Sequence, residues 1–325
     1  MVRDKIRLLC SDLSHAPLHF TLRDSGIPET HGFELEVDIV RVQRGDKPAP
    51  KISDRAPALL NGEYEFLSGL HHETYVYRAR GDKRFVYLAQ TQNDWDDRLI
   101  ARPDIESARD LEGRRILTVD TPCVSGNVKH ALRQAGVDTS KVEFVFSLHG
   151  KRIAPHEAVE AVMRGEVDAA NVDIPFDLRA KKLGLKTILL PALPVIHNTT
   201  ICASTDFVRK NEETVLAFLK ALIEAIHFFK TQKKKVCAIL NRELVPLIHL
   251  EGDDEVEYLH EEWSKLLSPK PYPHPLAIWH VYDLDIGHDA NVNFISPLEI
   301  WDTHYLRLID DSGFIDALYQ QEGKT

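Results

Sequence analysis

At 325 residues the chain exceeds one typical hydrophobic core, so two lobes are the default organisation. A formal charge of -10 argues against a nucleic-acid surface, which needs a basic stripe. Four widely spaced cysteines (Cys10, Cys123, Cys202, Cys237) form no C-x-x-C pair, so they indicate neither a disulfide framework nor a zinc knuckle and read as buried thiols. The charged start at Arg3, Asp4, Lys5 and Arg7 interrupts any secretory apolar core, and no apolar run of about 18 residues occurs, so a cytoplasmic protein without membrane insertion is expected.

In chain order, a strand is predicted over 5–10, broken by Ser11 to Ser14. A helix follows over 15–23, with Ser14 as N-cap, Pro17 in its first turn and Gly26 after its end. Residues 33–40 (FELEVDIV) alternate and then run apolar, the mark of a strand entering a sheet. Residues 45–53, with three breakers and two lysines, are a loop. A helix end, a turn at Asn61-Gly62, a strand over 64–67 and a loop at Gly69-Leu70-His71-His72-Glu73 opening a second helix make one α-β-α unit. In open α/β sheets ligands sit outside the carboxyl ends of strands, so this loop is a candidate binding surface. The apolar run 85–89 leads to a connecting strand at 98–101, where the chain first crosses between lobes.

The second lobe contains strands at 116–119, 142–146 and 167–172. A helix over 127–134, capped by Ser125-Gly126, follows the first of these. Another over 155–164 buries Ala158, Val159, Val162 and Met163 and stops at Gly165. This alternation predicts a parallel, doubly wound sheet. After a short strand at 187–191, residues 198–204 return to the first lobe. A long helix then runs from Asn211 towards Leu240, with Val215, Leu219, Leu222, Ile226 and Phe229 as its buried stripe. Its acidic start (Glu212, Glu213) and basic end (Lys230, Lys233 to Lys235) suit the helix dipole, the lysine run being read as solvated. Helices are expected at 253–267 and as a pair over 297–319, while 269–293 carries no clear signal. The lobes are therefore 1–97 with 199–325, and 98–198.

Five segments in order carry a family resemblance. SHAPLHFTLRDSGIPETHGFELEV, LLNGEYEFLSG followed by ARG, DLEGRRILTV, RGEVDAANVDIPF and STDFVRKNEETVLAFLKAL resemble the solute-binding proteins for sulfonates, nitrate and thiamin precursors. The resemblance implies a type II periplasmic-binding-protein architecture: two doubly wound α/β lobes around a central cleft. That family has cytosolic enzyme relatives, namely the thiamin pyrimidine synthase, aryl-sulfinate desulfinases and dihydroxyphthalate decarboxylases, so the fold alone does not assign a reaction. Aligned on Ala79-Arg80-Gly81, the synthase's cofactor lysine falls on Gly69 and its reacting histidine on Glu73, and its cysteine-rich run is replaced by 195–198. This argues against pyridoxal-phosphate chemistry, and no cofactor is expected. The desulfinase cysteine position falls on Leu13; His15 alone coincides with a synthase histidine.

Two helices, capped by Ser14 and by Ser125-Gly126, are expected to start at the cleft, and free N–H groups at helix starts favour anions. The expected ligand-binding set is Asp12, Ser14, His15, His71, His72 and Glu73 from the first lobe. From the second lobe and the return crossing it is Thr121, Ser125, Gly126, Asn127, Asp173, Phe176, His197 and Asn198. His15 and His19 are four apart on a helix, but no third ligand has a defined spacing and no metal is expected. Asp283, Asp285, His288 and Asp289 read as a solvated loop.

Two function classes follow. The primary one is a binding protein that closes on a small organic anion, aromatic or heterocyclic included, by hinge motion at crossings near Asp96 and His197, with a transporter permease as partner if the protein is exported. The alternative is a cytosolic lyase on the same scaffold, with His15 or His72 as proton donor. Binding leads because it needs no chemistry that the residues do not show.

Overall fold

The computed structural model describes residues 4–43, 45–46, 48–196, 199–284 and 290–320. Its first part runs β1 (Asp4–Cys10), α1 (Ala16–Asp24), α2 (Ile27–Thr30), β2 (Phe33–Ile39), α3 (Arg55–Leu60), β3 (Phe66–Ser68), α4 (Glu73–Ala79) and β4 (Phe85–Gln90). The second comprises β5 (Arg98–Ala101), β6 (Arg115–Leu117), α5 (Pro122–Gln134), β7 (Glu143–Val145), α6 (Pro155–Met163), β8 (Ala169–Val172), α7 (Phe176–Lys182) and β9 (Lys186–Ile188). The chain returns through β10 (Thr200–Ser204) and α8 (Thr205–Lys210). It closes with α9 (Glu212–Thr231), α10 (Lys233–Glu243), α11 (Val245–Ile248), α12 (Asp253–Leu266), α13 (Pro275–His280), α14 (His304–Asp311) and α15 (Phe314–Gln320).

Two five-stranded sheets result, in the orders β2-β1-β3-β10-β4 and β7-β6-β8-β5-β9. The alternation in FELEVDI turns Phe33, Leu35, Val37 and Ile39 to the core, and β1 pairs with β2 in parallel from Asp4↔Phe33 to Cys10↔Ile39. The parallel expectation is corrected in one respect: both sheets are mixed. β10 runs antiparallel to β3 and β4, and β5 antiparallel to β8 and β9. These are the strands that arrive from the other sheet; a chain entering without a helical crossover is free to lie antiparallel.

The two crossings lie side by side. Asp94 bridges Pro194, Trp95 N–H donates to Leu193 O at 2.9 Å, and Val195 N–H to Asn93 O at 2.9 Å. A third connection comes from α12, where Glu255, buried at 2% exposure, pairs with Arg179 of α7 through two hydrogen bonds of 2.8 and 2.6 Å. Glu262 meets Arg98 of β5 at 3.0 Å, and Tyr258 donates to Asp177 at 2.7 Å.

Helix boundaries supply two further corrections. The predicted helix over 127–134 begins at Pro122, because Thr121 is extended and Pro at the first helical position has its φ preset and no N–H to leave unpaired. The long helix after Asn211 is two helices broken at Gln232, without Gly or Pro. Lys233 pairs with Glu257 and Glu261 of α12 at 2.9 and 2.8 Å, so the lysine run opens a packed helix instead of ending a solvated one.

Candidate functional site

A cavity of about 720 Å³ lies between the carboxyl ends of the two sheets. The first sheet contributes the loop after β1 and the loop after β3, laced together by Arg55. Its Nη1 donates to Ser11 Oγ at 3.1 Å and to Gly69 O at 3.0 Å, its Nη2 to Glu73 Oε1 at 2.5 Å and its Nε to Ile52 O at 3.1 Å. Gly69 has φ +106°, and a Cβ there would stand 2.6 Å from His15 Cε1; only glycine permits this approach. The His15 and His71 rings lie 5.1 Å apart. Behind them a polar chain enters the sheet: His15 Nδ1 lies 3.4 Å from Ser68 Oγ, and His71 Nδ1 3.1 Å from Thr200 Oγ1, which donates to Gln90 at 2.5 Å.

Burial lowers the His72 pKa, so its ring is neutral near pH 7, a state that disfavours the proton-donor role considered for it. Burial opposes ionisation of Glu73, but the charge that the His72 ring takes up at acid pH and the Arg55 guanidinium outweigh it and hold the carboxyl below its usual range. Cys123 also lines the cavity, its thiol pushed up to about 12 by burial, and burial raises Cys10 as well, so neither is a thiolate nucleophile.

Of the residues expected at the site, Asp12, Ser14, His15, His71, His72, Glu73, Thr121, Asp173 and Phe176 line the cavity. Ser125, Gly126 and Asn127 sit inside α5 and are absent from the lining. Ser125 Oγ donates to Thr121 O at 3.0 Å, Asn127 Nδ2 to Cys123 O at 2.5 Å, and Gly126 packs under Leu284. His197, Asn198, Asp285, His288 and Asp289 lie outside the described residues.

The two helix starts differ from expectation. Ser14 caps nothing: Asp12 accepts from the Ser14 N–H at 3.2 Å at the head of the short turn before α1, so the protein's own carboxylate occupies that anion position. The start of α5, in contrast, has no side-chain cap, and Thr121 to Val124 face the cavity. Residues without local sequence signals complete the walls: Asp96 and Asp97 from the crossing, Thr118 and Asn171 from the second sheet. Leu244, Leu247, Ile248, Leu259 and Trp263 come from the segment α10 to α12. Among the described residues no group of three or more His, Cys, Asp or Glu side chains is placed to hold a metal ion.

Two mixed α/β lobes joined by paired crossings over a cleft define the architecture of the type II periplasmic binding proteins. The periplasmic aliphatic sulphonate binding protein SsuA of Escherichia coli superposes with a TM-score of 0.63 at 15% identity, covering 93% of this chain and 91% of that one. The desulfurisation enzyme DszB, solved with biphenyl-2-sulfinic acid, superposes with a TM-score of 0.65 at 15% identity over 96% and 100% of the two chains. The chain belongs to the NMT1/THI5-like family, whose model matches residues 35–235. It is also 24% identical over 302 residues to the binding protein YtlA of Bacillus subtilis (strain 168), spanning 84% of this chain and 79% of that one.

Proposed function

We propose that this protein binds a small organic anion, a sulfonate or carboxylate with an apolar body, in the cleft, as the solute-binding component of an importer does. The observation that carries the reading is the uncapped start of α5, a 13-residue helix whose first turn opens into the cavity. Pro122 carries no N–H and Val124 N–H donates to Thr121 O at 3.1 Å, so an anion there meets the Cys123 N–H and the positive end of the helix dipole. The apolar wall of Leu244, Leu247, Ile248, Leu259 and Trp263 suits a hydrocarbon or aromatic body, and about 720 Å³ exceeds what a bare inorganic anion requires. Sulfonate recognition in the named structural relative SsuA supports the same ligand class.

Val124→Glu tests this reading. A carboxylate in the first turn is favourable to a helix by about 0.3–1 kcal/mol, so the variant should fold as well as the parent while filling its own anion site. Benzenesulfonate should raise the melting temperature of the parent and leave that of Val124→Glu unmoved. Equal shifts in both would remove α5 from the binding site.

A further inference from the structure

The wall of the cavity formed by the second sheet is rich in acceptors, which a simple anion does not explain. Thr118, Asn171 and Asp173, with Asp97 from the crossing, extend the face of that sheet on which Ile116, Ala169 and Leu99 enter the core under α5, each two residues away along its strand. Asp97, 7% exposed, accepts from Asn171 Nδ2 at 3.0 Å. The Asn171 Oδ1 is then left buried with no partner, as is the hydroxyl oxygen of Thr118, a residue only 4% exposed that lines the cavity. Asp173 hydrogen-bonds Asp97, and two carboxyl groups can do so only if one keeps its proton. Burial, followed by the carboxylates of Asp97, Asp12 and Asp96, raises the Asp173 pKa well above the ordinary value. Of the arginines that line the cavity, Arg41, Arg55 and Arg152, none is among the charges acting on Asp173, and Arg55 is committed to Ser11, Gly69, Ile52 and Glu73.

We infer that Asp97, Asp173, Asn171 and Thr118 form a second subsite that receives a protonated nitrogen of the ligand, an alkylammonium or amidinium, so that the bound molecule is a zwitterion. The inference rests on the reading of the cleft as an anion-binding site and adds the opposite pole to it. Two carboxyls, an amide oxygen and a hydroxyl offer a multi-donor cation what it lacks in the apolar cavity, and charge-assisted hydrogen bonds are the stronger kind. A metal ion is the poorer occupant, since no three ligating side chains converge among the described residues. Thr118 and Thr121 are three residues apart, so their Cα atoms lie within about 10 Å of each other, a separation on the scale of one aromatic ring bearing two substituents.

Calorimetric titration with benzenesulfonate and with its para-aminomethyl derivative tests this, on the parent, on Asp97→Asn/Asp173→Asn and on Thr118→Val. In the parent the zwitterion should bind about tenfold or more tightly than benzenesulfonate. The double amide variant should lose that preference, its benzenesulfonate affinity rising if it changes because carboxylate charge has been removed beside the anion, and Thr118→Val should weaken the preference in part. A cooperative thermal melt of each variant, read alongside the titration, shows that it is folded. Benzenesulfonate binding without any gain from the ammonium, or a preference that survives in the double variant, overturns the subsite and leaves the anion reading standing. Failure of the parent to bind either probe overturns both.

Discussion

His19 shows how one buried side chain sets a property of the whole protein. It lies on α1 at 0% exposure with neither ring nitrogen partnered, and burial, then the neighbouring His15, lowers its pKa to about 3 from an ordinary 6.5. The unfolded chain takes up this proton below about pH 6.5 while the folded chain refuses it, so stability falls as pH drops through that window, by about 2 kcal/mol near pH 5. His19→Leu should flatten this dependence, as read from urea midpoints at neutral and mildly acidic pH; an unchanged slope would show that the ring is solvated. Legibility at this scale was divided. Asp12, His15, His71, His72 and Glu73 could be placed because each follows an apolar strand run directly. Arg55, Asp97, Asn171 and Trp263 could not, since each reaches the cavity from a position whose local pattern says only crossing, strand or helix. The start of α5 was readable in Thr121-Pro122, an N-cap residue followed by proline, but Ser125-Gly126 offered a competing and stronger-looking turn signal.

Among the elements, α12 has a role that its amphipathic sequence hides. It packs on α9 and α10 beside the first sheet and on α7 beside the second, and the Arg179–Glu255 pair joins it to the latter. Burial opposes ionisation of Glu255, but the Arg179 hydrogen bonds outweigh it and hold the carboxyl below its ordinary value. The contribution is thus present above about pH 4.5 and is lost as pH falls through the folded pKa. Arg179→Ala leaves Glu255 buried without its partner and should cost about 3–5 kcal/mol in chemical denaturation. A loss below about 1 kcal/mol would mean that water reaches the carboxylate. The sequence showed that this helix exists but not what it touches, because periodicity reports one buried face and never the identity of its neighbour. The break at Gln232 was hidden for a related reason. The apolar stripe of α9 gives no sign of an end, and Lys230 instead turns to cap the carbonyls of Ser264 and Leu267 at the end of α12.

Over the whole molecule, the order of strands and helices was legible and the direction of two strands was not. β5 read only as a connecting strand and β10 only as the return to the first lobe, and their arrival from the opposite sheet is what makes them antiparallel. That same connectivity leaves the two sheets facing one cleft, with the carboxyl-end loops of both and the α10 to α12 segment as its three walls. The paired crossings and α12 connect the two sheets on either side of that cleft. The central claim is that an organic anion sits in this cleft against the first turn of α5. A crystal structure of the protein with bound benzenesulfonate tests it most directly: a sulfonate oxygen should accept a hydrogen bond from the Cys123 N–H at the head of α5, with the ring against Trp263. A sulfonate bound outside the cleft, or within it but away from α5, would contradict the account.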